Sequence, residues 1–474
     1  MAAVATGNTQ WSSRFAFIMA AVGSSVGLGN LWRFSSEAGQ SGGGLFIIIY
    51  LLAVALVCVP VLMSEYLVGR AGPDANAIGS ISDEARRSGV SGAWTLAGWV
   101  GMLAGFFIVT FYCVIAGWVL RYVLTSITGG FTGLSPAEIG EDFVGFIFNP
   151  MSVLPWFLGF AVLTTYLVSR GVNQGIELAA KVLMPLFFVL LAGLAAFALF
   201  TNVSNGGTAA ALEFLYQPRL VEMVPDPETG ELIEQSTLSG QVMSRALGQA
   251  FFSVGVGSAI MITYGSYIPK GVSLPRSAVL VGIADTAVAL IAGLAIFPIV
   301  FGTGQEPGAG PGLLFVTLPN AFNSMGAVGP IVGAAFFFLA FFAAITSSVS
   351  LLEPSAAYVS EKFNLAKSKA AWIVGSLMTA IGLISVFGIG ENAKGETDTL
   401  ALNAIDKFTG QVMLPLAGLL IVLFVGWRLD RTIVEGELLE SDAGLARILL
   451  FLTKWIAPIF VGIVLAKSVF DAYF

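Results

Sequence analysis

The chain has 474 residues, 56% hydrophobic and 11% charged, with a mean hydropathy of +0.87. A soluble protein of this length carries about twice that charged fraction, so the composition is that of a polytopic protein seated in a lipid bilayer. The net charge of −7 comes mostly from acidic outer loops and gives no reason to expect a nucleic-acid partner; the absence of histidine excludes histidine proton relays and histidine metal ligands. Cys58 and Cys113 lie in apolar runs and read as small buried hydrophobes rather than a disulfide. The start MAAVATGNTQW has no basic n-region and the first apolar run is too long for an h-region, so no cleaved signal is expected.

Allowing about 20 apolar residues per crossing predicts an all-α membrane protein with eleven transmembrane helices. Numbered 1 to 11, they cover approximately 13–40, 44–70, 92–125, 154–170, 174–202, 241–270, 275–304, 328–362, 367–388, 402–428 and 447–470. With the N-terminus inside, fifteen Lys and Arg fall on cytoplasmic ends and loops against seven outside, which predicts a cytoplasmic N-terminus and an external C-terminus.

Helix 1 contains the most telling stretch, Ala21-Val-Gly-Ser-Ser-Val-Gly-Leu-Gly-Asn-Leu-Trp-Arg33. Glycines interrupt a membrane-length run, and broken backbone at membrane depth is tolerated only where protein or a polar cavity covers it. Helix 6 repeats the pattern in Phe251-Phe-Ser-Val-Gly-Val-Gly-Ser-Ala259. Matching interruptions in two halves of a chain point to a transporter's substrate site. The helices divide five plus five with one left over, and the broken helix comes first in each five, as an inverted repeat requires. The expected organisation is one domain: a first repeat over about 13–202, a second over about 241–428, and an extra helix at about 447–470.

Between these helices, the acidic insert Val224-Pro-Asp-Pro-Glu-Thr-Gly-Glu231 has the composition of a turn or small hairpin. The loop 305–327, with Gly308-Ala-Gly-Pro-Gly312, is either a segment dipping back towards the pore or a structured surface loop.

Ionisable residues within the membrane are costly and usually functional. Arg33 and Asp406 are placed to pair across the outer mouth; the alternative is that each snorkels to the interface. Glu65 has no cation near it in sequence and is suited to cap the unpaired N–H groups of an unwound helix. Asp285 puts a full charge into helix 7 and needs a cation or a proton. Thr346 and Ser347 of helix 8 either back-bond to their own helix or, with unwound carbonyls, offer a sodium ion several hard oxygens. The outer half-helix starting near Leu28 and Gly29 points free N–H groups and a positive dipole at the break, which suits a carboxylate. Together these residues predict an amino-acid site beside a sodium site.

The motifs Gly27-Leu-Gly-Asn-Leu-Trp-Arg-Phe34, Gly42-Gly-Gly44 with Tyr50, Gln249-Ala-Phe-Phe-Ser253, Ile262-Thr-Tyr-Gly-Ser-Tyr267, Thr346-Ser-Ser348 and Asp406 resemble those of the neurotransmitter:sodium symporters, especially bacterial amino-acid members typified by the leucine transporter. The resemblance spans roughly residues 11–428 and implies the fold of that transporter, with broken helices 1 and 6. It implies that the substrate carboxylate meets the N–H groups of Leu28 and Gly29, the Tyr112 hydroxyl and one sodium. The substrate ammonium meets carbonyls of Ser25, Phe252 and Ser253, and Ile108, Gly255, Ser258, Ser347 and Leu351 surround the side chain. The first sodium is held by Ser25, Asn30, Ser253 and Asp285, the second by Gly23, Val26, Ala343, Thr346 and Ser347. Tyr112 and Phe252 form a lid, Arg33 with Asp406 the outer gate, and Trp11, Ser266, Tyr267 and Glu361 belong to the inner gate.

Three departures from the family pattern matter. Asn8 stands where an inner-gate arginine is usual; Gly255 and Ser258 replace a serine and a phenylalanine of the leucine transporter; Asp285 replaces a sodium-ligating asparagine, while Ala289 falls at the chloride-substituting carboxylate. The expected function is sodium-coupled import of bulky hydrophobic or aromatic amino acids across a bacterial inner membrane, without chloride and with a proton as candidate counter-ion at Asp285 once sodium leaves. Small aliphatic substrates are the alternative, and a substrate-gated channel or sensor on the same scaffold is the rival from another class. No HExxH motif or nucleophile–base pair suggests an enzyme.

Overall fold

The computed structural model describes residues 10–473 apart from 73, 75, 226–231, 237, 306–309, 311, 392–396 and 399. Among the described residues, nine helices are long and apolar enough to cross a membrane, and a bent pair makes a tenth. They are Gly44–Ala71, Gly92–Ile127, Pro150–Ser169, Val172–Thr201, Leu274–Gly302, Gly326–Lys362, Lys367–Phe387, Leu402–Trp427 and Asp442–Lys467, matching predicted helices 2 to 5 and 7 to 11. The bent pair, Arg14–Ser25 with Gly29–Gln40, is helix 1. Predicted helix 6 is two pieces, Gly240–Val254 and Ile260–Ser266, neither of which alone is long enough to span.

The two breaks form for different local reasons. Helix 1 stops because Val26 turns to an extended conformation (φ −75°, ψ 104°), and the chain resumes helically by Gly29 at an angle of 53°. Helix 6 stops at Gly255, whose φ of +72° is the left-handed conformation that ends helices cheaply only at glycine. Gly257 repeats this at φ +81°, and a Cβ there would lie 2.2 Å from the Leu414 carbonyl oxygen, so the break can approach helix 10 only with glycine at that position. The unpaired backbone has a partner: the Gly257 N–H donates to Glu65 Oε1 at 2.9 Å, and Glu65 is fully buried. This is the capping role expected of Glu65.

Helix 8 is the central element, packed along helix 3 and also against helices 1, 5 and 9. The inner half of helix 6 lies against helix 2. The loop 305–327 carries the short apolar helix Leu313–Asn323, with Leu313, Leu314, Phe315, Leu318 and Phe322 buried and the Tyr122 hydroxyl donating to the Phe315 carbonyl. Further short helices at Ala77–Arg87, Pro136–Ile147 and Gly207–Tyr216 were not among the predicted elements. Strands Val221–Pro225 and Leu232–Ser236 pair antiparallel, forming the hairpin the insert's composition suggested. Its turn, like Asn8 and the Gly308–Ala309 part of the glycine-rich loop, lies outside the described residues.

Candidate functional site

Where the two breaks face each other, a cavity of about 40 Å³ opens between helices 1, 3, 6, 8 and 10. Its walls include Ser25, Gly29, Ile108, Tyr112, Phe252, Gly255, Ser258, Ser347 and Leu351, all expected from the sequence. Leu28 takes part through its backbone, its N–H donating to the Tyr112 hydroxyl oxygen at 3.3 Å. Ser253 instead turns its hydroxyl towards Asp285. Ser24, Gly27, Asn30, Ile260 and Leu414 also line the cavity and were not assigned to it from sequence. Ile260 and Leu414 carry no signal that separates them from ordinary apolar residues.

One cluster of oxygens sits between helix 8 and the end of the inner half of helix 1. The Ser347 hydroxyl lies 3.2 Å from the Val26 carbonyl oxygen, 3.3 Å from that of Ser24 and 3.5 Å from that of Gly23. The Thr346 hydroxyl donates to the Ala343 and Phe342 carbonyls at 3.1 and 3.0 Å. Thr346 thus back-bonds to its own helix, and Ser347 reaches across to the break. The five residues expected around the second sodium lie together.

A second cluster surrounds Asp285, which is fully buried in helix 7. Its Oδ1 accepts from Asn30 Nδ2 at 2.7 Å, and its Oδ2 accepts from the Ser253 hydroxyl at 2.8 Å and the Tyr50 hydroxyl at 3.0 Å. Among the described residues no lysine or arginine pairs with it. Asn30 is turned so that its Oδ1 accepts the Gly27 N–H at 2.9 Å. The Ser25 hydroxyl donates to the Val254 carbonyl at 2.9 Å, joining the two breaks directly. Gln249 donates to the Gly29 carbonyl at 3.0 Å, and the buried Ala289 brings no polar side-chain atom.

At the outer mouth the expected Arg33–Asp406 ion pair does not form. Arg33 lies over the Phe252 ring, its Cζ 4.3 Å from the ring centroid, and its buried Nη1 has no hydrogen-bond partner. A Cβ built on Gly410 would sit 3.8 Å from Asp406 Oδ1 and 4.0 Å from Arg33 Nη1, so both charged groups approach that glycine. The guanidinium gains the ring face instead of the carboxylate, an attraction of electrostatic origin.

At the end expected to face inwards, Trp11 packs edge-on against Tyr264 and Tyr267. Trp11 is buried, its backbone N–H donating to the Tyr267 carbonyl and its Nε1 to the Tyr264 carbonyl, both at 3.1 Å. The Tyr267 hydroxyl donates to Glu353 Oε1 at 3.1 Å, and Lys367 Nζ donates to the same oxygen at 2.7 Å. Glu361 accepts from Asn76 Nδ2 at 2.5 Å, whereas the Ser266 hydroxyl bonds the Thr263 carbonyl of its own helix. Glu353 and Lys367 were missed from sequence, although a glutamate inside apolar helix 8 was the signal available.

Two broken helices, a small polar and apolar cavity between them and oxygen clusters beside it are the arrangement of a membrane transporter. The model of the sodium:neurotransmitter symporter family matches residues 8–134 and 150–472. The uncharacterized sodium-dependent transporter YhdH of Bacillus subtilis is 36% identical over 459 residues, covering 96% of each chain. Sodium-dependent nutrient amino acid transporter 1 of Drosophila grimshawi is 24% identical over 428 residues, 80% of this chain and 65% of its own. The crystal structure of MhsT in complex with L-phenylalanine matches with a TM-score of 0.84 and 39% identity, over 98% of this chain and 100% of that one. The chain belongs to the sodium:neurotransmitter symporter family and is a sodium-dependent transporter, not an enzyme.

Proposed function

We propose that the protein is a sodium-coupled symporter for bulky hydrophobic amino acids, including aromatic ones, working by alternating access and independent of chloride. The observation that carries this reading is the cavity at the paired breaks, walled by Ile108 and Leu351 and flanked by the Ser347 and Asp285 oxygen clusters. In this reading two sodium ions occupy those clusters. The substrate carboxylate replaces the Tyr112 hydroxyl as partner of the Leu28 N–H, and Phe252 closes over it. Ion and substrate then share ligands, so each favours the other's binding by the same factor.

Substrate size rests on the far wall. A Cβ built on Gly255 meets nothing within 4 Å, so space continues beyond the cavity where a side chain could extend. Among the described residues no lysine, arginine or carboxylate side chain lines the cavity, which disfavours charged substrates. MhsT was crystallised with L-phenylalanine, and its likeness over nearly the whole chain supports a large apolar substrate. The 40 Å³ volume favours the second reading, small aliphatic amino acids, unless Phe252 and Leu351 yield to a larger one.

We place the chain in a bacterial inner membrane, N-terminus inside and C-terminus outside, as two five-helix repeats with a last helix apart. Proton counter-transport through Asp285 belongs to the same proposal. The deciding experiment is binding of each of the twenty amino acids to purified protein with and without sodium. Sodium-dependent binding of tryptophan, tyrosine, phenylalanine or leucine supports the reading, and a preference for glycine or alanine overturns the substrate class.

A further inference from the structure

Outside the gates already described, a compact set of polar groups joins the first residues of helix 1 to the inner end of helix 5. That end, Val172–Glu177, is a widened helical turn of a kind found frequently at functional sites. Glu177 closes it, with its side chain only 4% exposed. Its Oε2 accepts the Ser12 backbone N–H at 3.0 Å and Asn173 Nδ2 at 3.2 Å, and its Oε1 accepts the Ser12 hydroxyl and, at 2.5 Å, Lys181 Nζ. Lys181 also donates to the Ser12 hydroxyl oxygen at 2.7 Å, and Asn173 to the Gln10 carbonyl at 3.1 Å. The next residue, Ser13, caps helix 1 by accepting the Ala16 N–H, so whatever holds Ser12 holds the start of the inner half-helix.

We propose that Glu177 is the latch of the inner gate: it grips Ser12 through backbone and side chain and keeps the inner half of helix 1 against helix 5. It is a positioning residue, acting on the gate and not on substrate. Its chemistry suits repeated opening. When helix 1 swings away, Lys181 remains as the partner of Glu177, so the carboxylate is not left as an unpaired buried charge, the state that makes broken ion pairs expensive. Ser12 meanwhile exchanges its bonds for water. The latch needs no cation from the N-terminal segment, where Asn8 carries none.

The latch rests on the alternating-access reading, and the experiment separates the two. A Ser266→Cys reporter on the inner half of helix 6, in a Cys58→Ala, Cys113→Ala background, is labelled with a thiol reagent from the inner side, with and without sodium. Glu177→Gln is expected to speed labelling about tenfold and Ser12→Ala about threefold, in keeping with hydrogen bonds to a charged group. The double variant should label no faster than Glu177→Gln alone, since both changes break one contact. Folded variants that label at the parent rate overturn the latch. If Glu177→Gln does not fold, Ser12→Ala decides by the same criterion. Labelling of the parent that does not respond to sodium overturns alternating access, and the latch with it.

Discussion

The hydroxyl of Ser347 stands 3.2 Å from the carbonyl oxygen of Val26, so a residue of helix 8 meets the backbone that helix 1 leaves unpaired at its break. A carbonyl freed from a helix and a hydroxyl aimed at it are ligands a small hard cation can use together. Replacing Thr346 by Val and Ser347 by Ala removes both hydroxyls while the carbonyls of Gly23, Val26 and Ala343 remain. Sodium-driven uptake into proteoliposomes should be abolished, with the protein still monodisperse. Undiminished uptake when choline replaces sodium would show that this cluster holds no coupling ion.

Gly29 is packed directly against the Phe252 ring. A Cβ there would lie 2.8 Å from a Phe252 ring carbon, closer than real contacts allow. Gly29→Ala should therefore push the ring aside and lower substrate affinity by at least about tenfold, the size of a modest overpacking cost. A smaller apolar side chain at 252 in the same background should recover part of it. Wild-type affinity in Gly29→Ala would mean that Phe252 does not rest there in the bound state.

Glu65 gives a prediction about stability instead of transport. Its carboxylate accepts the Gly257 N–H at 2.9 Å, and neither group is near water. Glu65→Ala leaves that N–H without a partner and should cost about 1–3 kcal/mol, read as a lower Tm in detergent. Glu65→Gln keeps an acceptor oxygen and should cost less. Equal Tm values for all three proteins would remove the capping role.

Much of this architecture was legible because it rests on composition and on residues with few conformational alternatives. Long apolar runs gave the helices, and glycines inside them gave both breaks. Glu65 could be read because a carboxylate without a nearby cation in an apolar helix has few uses. Sequence shows the opposite charges of Arg33 and Asp406 at one end of the molecule but not the Phe252 ring over which the guanidinium lies. The Glu353–Lys367 contact was missed for the converse reason: its members come from adjacent helices, and nothing in their spacing says that they turn towards Tyr267. The short helices between spans were missed because amphipathic segments of about ten residues barely exceed the noise of loop composition.

The outer gate follows from the contact that replaced the ion pair. Arg33 lies over the Phe252 ring, and both Arg33 and Asp406 approach Gly410. Arg33→Ala should then impair transport more than Asp406→Ala, and raise the accessibility of an outer-vestibule cysteine. Equal losses from the two variants would indicate that the charges pair directly during the cycle.

Chloride dependence turns on Asp285. Family members that require chloride use the anion to offset positive charge brought by sodium and substrate. Here the groups gathered at the corresponding place are Tyr50, Ser253 and Asp285, with Asp285 accepting from both hydroxyls and from Asn30. In the proposed reading an ionised Asp285 supplies the negative charge that a bound anion would otherwise bring, in surroundings where such a charge interacts strongly with a nearby cation. Replacing chloride by gluconate should leave uptake by the native protein unchanged. Asp285→Asn keeps the shape but removes the charge, so uptake should fall and then recover in part when chloride is returned. A native protein that stops in gluconate would show that the carboxylate does not take the anion's place.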